Sequence, residues 1–291
     1  MAQARIGLIS RGCSCEGRNR QWLKRLAADE ERDKIDNGLG RVCLRILIIS
    51  DIHANVEGLQ AVLEAAKGEY TQVVCCGDLV GYGPEPNEVA DWVRKNAHVV
   101  VRGNHDKVAA GIDSANQFND IAKQAAYWTI EQLSEENKKY LFDLPKGPLE
   151  VTSRYGILHG SPLDEDEYIS TSWEATEVFA KLTRPVTFFG HTHMQGGFFR
   201  SGDGPVQAIP NPVGDMETRK IVDEKEGVLY YINPGSVGQP RDSDNRAAFV
   251  IYDTTGFIEY ARVPYDIETT MAKMRKAALP DFLIKRLKVG R

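Results

Sequence analysis

RILIISDIHAN (45–55) reads as a short buried strand that stops on a turn carrying a carboxylate and an imidazole. Four of its first six residues are Ile or Leu, and a brief apolar run of this kind marks a strand covered on both faces. The same pattern returns four times. TQVVCC (71–76) runs into Gly77-Asp78, and HVVVR (98–102) into Gly103-Asn104-His105-Asp106. YGIL (155–158) runs into His159-Gly160, and VTFF (186–189) into Gly190-His191-Thr192-His193. In open α/β sheets the functional crevice lies at the carboxyl ends of the strands. Five of the six histidines sit in these junctions, and only His98, at the head of a strand, does not. That distribution points to a single site.

Around these strands, helical pattern fits 56–67, 86–96, 118–132 and 172–182, with Asn55 placed to cap the first. Ser134 followed by Glu135 to Asn137 predicts a short capped helix ended by Pro145. After residue 195 the chain becomes β-rich (GGFFR, VQAI, GVLYYI, AAFVIYD, GFIEYARV), with Gly/Pro/Asp clusters between most of the runs. Alternating strands and helices predict a layered α/β fold. The expected organisation is one domain over 44–262, a helical cap over 113–144, and a C-terminal helical tail over 263–291 interrupted at Pro280. Residues 1–43 are charged, with few apolar positions, and are expected to form a poorly ordered N-terminal extension. Val42 is a candidate native start.

The chain has 291 residues, 42% hydrophobic and 26% charged, with a formal net charge of −5. That acidic balance disfavours a broad surface for duplex nucleic acid. No run approaches the roughly 18 apolar residues of a membrane span, and the N-terminus lacks a signal-peptide core. Five cysteines without a repeated spacing favour neither a disulfide framework nor a zinc knuckle. Cys75 and Cys76, ending a strand, are expected to be buried reduced thiols, which fits a cytoplasmic location.

Chemistry follows from collecting Asp51, His53, Asp78, Asn104, His159, His191 and His193. Residues i and i+2 leaving a strand can point to one side, so Asp51 with His53, and His191 with His193, could each aim two ligands into one crevice. Imidazole nitrogen mixed with carboxylate oxygen suits transition metals better than Mg²⁺ or Ca²⁺. Seven candidate ligands are too many for one ion with open positions. Two divalent ions, Mn²⁺ first and Fe, Zn, Ni or Co as alternatives, with one bridging carboxylate, are the natural count. Such a pair would serve hydrolysis at phosphorus by a hydroxide held between the ions.

DIH, GD, GNHD, HG and GHTH, in this order, resemble the calcineurin-like metallophosphoesterases, most closely a bacterial branch of small single-domain members, over roughly 44–262. GDLVGYGPEPNEV and INPGSVGQPRD (232–242) extend the likeness. The resemblance implies two mixed β-sheets packed as a sandwich flanked by helices. It implies a first metal on Asp51, His53 and His193, a bridging Asp78, and a second metal on Asn104, His159 and His191. His105 would stand beside the scissile phosphate as acid or charge stabiliser, with Asp106 orienting it or capping a helix. The implied activity is hydrolysis of a phosphodiester, a nucleotide or a phosphomonoester, and the motifs do not choose among them. A non-catalytic metal-binding scaffold with the same fold is the alternative, and the presence of His105 and Asp78 argues against it. Arg241 and Ser236, in the 233–241 loop, are candidate substrate contacts. The acidic run 164–167 is expected to be solvated, and Tyr127, Trp128 and Tyr140 to pack in the core.

Overall fold

Alternate residues of the first strand enter different cores, and this fixes the layering. In β1 (Arg45–Ile49), Ile46 and Ile48 join Val74, Ile157, Phe188, Ile232, Val250 and Tyr260 in one apolar cluster. Leu47 and Ile49 point the other way, into a cluster with Leu59, Val62, Val89 and Val93 of two helices. Successive strand side chains take opposite faces, so a strand apolar at every position needs cover on both sides. Here a second sheet covers one face and helices cover the other.

The computed structural model describes residues 44–210, 212, 214–220 and 227–291. The expected extension over 1–43 lies outside them. One sheet contains β1, β2 (Gln72–Cys75), β3 (Val99–Val100), β9 (Met216–Lys220), β11 (Ala247–Asp253) and β12 (Phe257–Val263), in the order β3-β2-β1-β11-β12-β9. Its first three strands are parallel, and β1 pairs antiparallel with β11, Ile46 opposite Tyr252. The other sheet contains β4 (Leu149–Glu150), β5 (Tyr155–Ile157), β6 (Val186–Phe188), β7 (Gly196–Ser201), β8 (Gln207–Ile209) and β10 (Val228–Asn233), in the order β4-β5-β6-β10-β7-β8. There β5, β6 and β10 run parallel. Both sheets are mixed, as expected.

The helices α1 (Val56–Ala65) and α2 (Pro86–Asn96) cover the first sheet. Asn55 caps α1, its side chain accepting from Gly58 N–H. The short α3 (Asn104–Ala109) begins inside the GNHD motif. The segment 113–144 holds a 3₁₀ turn (Ala115–Gln117), α4 (Asp120–Gln132) and α5 (Glu135–Phe142), the last capped by Ser134. On the other sheet, α6 (Ser172–Phe179) packs Ala175, Val178 and Phe179 against Phe189 and Tyr231.

After the last strand come α7 (Ile267–Lys276) and α8 (Asp281–Arg286), with the break at Pro280. Their Met271, Met274, Leu283 and Ile284, with Leu287 just beyond α8, cluster with Ala122 and Ala125 of α4 and with Tyr82. Trp128 and Tyr140 pack against apolar clusters, whereas Tyr127 is half-exposed, contrary to the expectation from helical spacing. Tyr127 precedes Trp128 by one residue, about 100° around the helix, and only one of the pair can face the cluster. Among the described residues no helix is long and apolar enough to cross a membrane.

Candidate metal centre

Every candidate ligand stands just beyond the carboxyl end of a parallel strand: Asp51 and His53 after β1, Asp78 after β2, Asn104 after β3, His159 after β5, His191 and His193 after β6. The sandwich brings these ends of both sheets together. To turn back so soon, Asp51, His53, Asp78, His191 and His193 all adopt positive φ, between 48° and 67°. Such values are uncommon for residues other than glycine and accumulate at functional sites. Gly103 lets two turns meet, since a Cβ there would lie 2.0 Å from Asp78 Oδ1.

The ligand atoms form two groups that share one residue. Asp51, His53, Asp78 and His193 are all buried, with one ligand atom each within 4.8 Å of one another; Asp78, His159 and His191 form the second such group. Asp78 Oδ2 lies 3.6 Å from His53 Nε2 and 3.4 Å from His159 Nε2, which places it between the groups. Asn104 Oδ1 stands 3.3 Å from His159 Nε2 and so adds an oxygen to the second group.

Backbone carbonyls set each imidazole. His53 Nδ1–H donates to Val80 O at 3.0 Å, His193 Nδ1–H to Gln239 O at 2.6 Å, and His159 Nδ1–H to Cys76 O at 2.8 Å. His191 is reversed: its Nε2–H donates to Asp166 O at 2.9 Å. The remaining nitrogens face inward, His53 Nε2 3.1 Å from His193 Nε2 and His159 Nε2 3.1 Å from His191 Nδ1, each open to a proton or a metal ion. Two lone pairs at that distance repel unless a cation stands between them. The donor set therefore fits divalent metal ions, with the outward N–H groups fixing tautomer and ring direction.

The charges give the same reading. Burial pushes the Asp51 carboxyl up to about 7 and holds His53, His191 and His193 below the usual imidazole range. Burial also pulls His159 down, but the Asp78 carboxylate outweighs it and raises that imidazole to about 10. Without a metal, a proton on His159 supplies positive charge at the centre.

His105 lies against this centre, edge-on to His53 with ring centroids 5.0 Å apart and flanked by Tyr82 at 4.3 Å and Phe118 at 4.5 Å. Its Nδ1 is buried against Gly81 with no partner. Asp106 makes no hydrogen bond to that ring. Its Oδ1 accepts from Leu79 N at 2.9 Å and Val80 N at 3.2 Å, and its Oδ2 from Gly103 N at 2.9 Å, tying the β2 turn to the start of α3.

The 233–241 loop is a second support for the ligands. Asn233 Nδ2 donates to Gly190 O at 2.9 Å, and Gln239 O takes the His193 N–H. Ser236 Oγ donates to Asp51 O and accepts from Gln239 N, both at 2.8 Å, so its hydroxyl works within the protein. The Arg241 guanidinium lies over the Tyr82 ring.

The acidic run, expected in solvent, is instead pinned to the site. Lys107, nearly buried, pairs with Asp166 Oδ2 at 2.6 Å and Glu165 Oε1 at 3.3 Å, and Arg102 pairs with Glu165 at 3.0 Å. This holds the Asp166 carbonyl on His191 and stacks Tyr168 on the same ring, centroids 3.8 Å apart. The VRGNHDK segment supplies both cations, and nothing local in the sequence shows that DEDE folds back onto them.

Comparison with known proteins agrees with this geometry. Residues 44–256 match the calcineurin-like phosphoesterase superfamily domain. The chain is 36% identical over 257 residues to an uncharacterized protein of Methanocaldococcus jannaschii, covering 84% of this chain and 98% of that one. It is similar to the crystal structure of a metallophosphoesterase from Sphaerobacter thermophilus, with 39% identity, a TM-score of 0.73 and coverage of 85% and 99% of the two chains. A hypothetical protein of Pyrococcus horikoshii shares the fold, with a TM-score of 0.65 at 21% identity over 85% of this chain and 98% of that one. With motifs, sandwich and domain match in agreement, the chain belongs to the calcineurin-like phosphoesterase superfamily.

Proposed function

We propose that the protein is a dinuclear metal-dependent phosphoesterase that hydrolyses a phosphodiester, nucleotide or phosphomonoester. The observation that carries this reading is the pair of buried ligand groups sharing Asp78, with His105 packed beside them. Asp51, His53, Asp78 and His193 would hold one ion, and Asp78, Asn104, His159 and His191 the other. Bound there, two divalent ions, Mn²⁺ first among the candidates, would supply Lewis acidity that polarises phosphoryl oxygens and acidifies water.

The chain's own residues do the rest. With no acceptor near Nδ1, the His105 proton belongs on Nε2, where it can hydrogen-bond a phosphoryl oxygen; protonating the leaving oxygen would require the imidazolium, which a bound anion favours. Burial pushes His105 down to about 4, so it is uncharged at neutral pH until an anion arrives beside it. Tyr82 and Phe118 fix its ring from two sides. Arg241, over the Tyr82 ring, would pair with substrate oxygen, and Asp106 holds the turns that carry Asp78 and Asn104 in register.

The test is turnover of bis-p-nitrophenyl phosphate and p-nitrophenyl phosphate by metal-stripped protein, with Mn²⁺ returned, beside His105→Ala. Metal-dependent turnover reduced about 10²–10⁴-fold in the variant is the expected result. Two ions bound with no turnover of either ester, whichever metal is returned, would favour the scaffold reading.

A further inference from the structure

A buried ion pair that no step of the chemistry uses lies behind the first group of ligands. Arg262, on β12, grips both carboxylate oxygens of Asp242: Nη1 donates to Oδ1 at 3.2 Å and Nη2 to Oδ2, and the two side chains are 4% and 2% exposed. Asp242 ends the INPGSVGQPRD stretch, in the loop between β10 and β11. Its Oδ2 also accepts from the backbone N–H of Gln195, two residues beyond His193, at 3.1 Å. The Gln195 side chain is buried too, its Nε2 3.2, 3.0 and 3.1 Å from the carbonyls of Pro234, Phe249 and Ala261.

From Ser236 onward this loop follows the two turns that carry the first group. Val237 N donates to Ser50 O at 3.1 Å and Gly238 N to Asp51 O at 3.0 Å, while Asn55 Nδ2 donates to Gly238 O at 2.9 Å. A Cβ on Gly238 would stand 1.9 Å from Ile52 O, so glycine is what lets the backbones lie this close. On the other side Arg241 N donates to His193 O at 3.2 Å, beside the His193 N–H on Gln239 O. The loop thus joins Asp51 and His53, which follow a strand of one sheet, to His193, which follows a strand of the other. The second group is set elsewhere: His159 by Cys76 O, and His191 by Asp166 O, whose side chain pairs with Lys107. Burying two charges adds little stability over an apolar pair of the same volume, which leaves fixed geometry as what the Arg262–Asp242 pair supplies.

We infer that Arg262 and Asp242 are positioning residues for the first metal alone: their ion pair clasps the 234–242 loop onto the turns that carry Asp51 and His193, and so sets the affinity of that ion separately from its neighbour. The inference rests on the two-metal reading of the centre but not on the reaction, since ion binding is measured without turnover. A guanidinium holds two carboxylate oxygens at once and an ammonium holds a single point, so Arg262→Lys should recover only part of what Arg262→Gln loses.

The experiment titrates the full-length parent protein, Arg262→Gln and Arg262→Lys with Mn²⁺ in competition with a fluorescent chelator, and records the melting temperature of each metal-free form. In Arg262→Gln one ion should bind about 10–100-fold more weakly and the other less than about threefold more weakly. Equal weakening of both ions, or a lower melting temperature with neither ion weakened, would overturn the inference and leave the pair a support of the fold. In a His193→Ala background the one remaining ion should be indifferent to Arg262→Gln. A further loss there, or no ion bound by His193→Ala at all, would show that the two sites are not set separately and would equally overturn it. If Arg262→Gln does not fold, Asp242→Asn, which keeps an acceptor for Gln195 N, takes its place in the same comparison. Fewer than two ions on the parent protein would remove the two-metal reading itself, whereas two ions bound without turnover would leave the clasp measurable.

Discussion

Replacing Asp106 with Asn should cost stability before it costs chemistry. The carboxyl is fully buried and serves three backbone donors, Leu79 N and Val80 N on Oδ1 and Gly103 N on Oδ2. An amide of the same shape keeps an acceptor for the first two and turns an NH₂ towards the third. Hydrogen bonds to charged groups contribute about 1.5–3 kcal/mol, and a buried donor left without an acceptor costs about 1–3 kcal/mol. With partial relief by local adjustment, the net loss should be about 2–4 kcal/mol. At about 2–4 °C per kcal/mol for a domain of this size, the melting temperature should fall by roughly 4–16 °C. Burial and next the Asp78 carboxyl push Asp106 up to about 7 in the metal-free protein. Cations that neutralise Asp78 would favour the charged form the three donors need, so the penalty should be larger in Mn²⁺-loaded protein. Urea titration of both forms measures this, with an unchanged m-value showing that the unfolded state is unaffected. Unchanged stability with a displaced pH profile of turnover would refute the reasoning and return Asp106 to the role of orienting His105.

Metal-stripped protein should lose stability as pH rises from 7 to 10. His159 is raised to about 10, so its contribution is full below its unfolded value near 6.5 and disappears as pH passes the folded one, whereas the lowered histidines have already lost their protons above pH 7. Thermal melts across that range should show the decline, and Mn²⁺, by taking the His159 lone pair, should abolish it. Asp78→Asn should reduce bound Mn²⁺ from two ions per chain to one or none, read by elemental analysis after gel filtration, because both ligand groups share that carboxylate. Lys107→Met should weaken Mn²⁺ binding by roughly 10–100-fold without touching a ligand, since it releases the loop whose Asp166 carbonyl sets His191; unaltered affinity in a competition titration would show that the loop is merely adjacent.

Much of the centre was legible in the chain because strand ends are local features. An apolar run that stops at DIH or GHTH declares both the strand and the side chains that leave it; six of the seven candidate ligands lie in the two groups, and Asn104 Oδ1 stands 3.3 Å from His159 Nε2. The Asn55 and Ser134 caps were readable for the same reason, each resting on contacts within three residues. Asp106 was expected to orient His105 or to cap a helix, and its carboxyl does accept from Gly103 N at the start of α3. GNHD places it next to His105, but at the start of a helix adjacent side chains diverge, and its carboxyl turns to the N–H groups of Leu79 and Val80, 27 and 26 residues earlier. The acidic run misled because charge in a loop ordinarily means solvent, and its partners Arg102 and Lys107 lie some sixty residues away.

What the sequence determined by itself was ten of the twelve described strands, the layered α/β class and the candidate ligands, because periodicity and residue chemistry act over a few neighbours. Which imidazole nitrogen faces inward was decided only by the tertiary structure. Each histidine takes its direction from the carbonyl of Val80, Gln239, Cys76 or Asp166, and every residue has a carbonyl, so composition carries no trace of the choice.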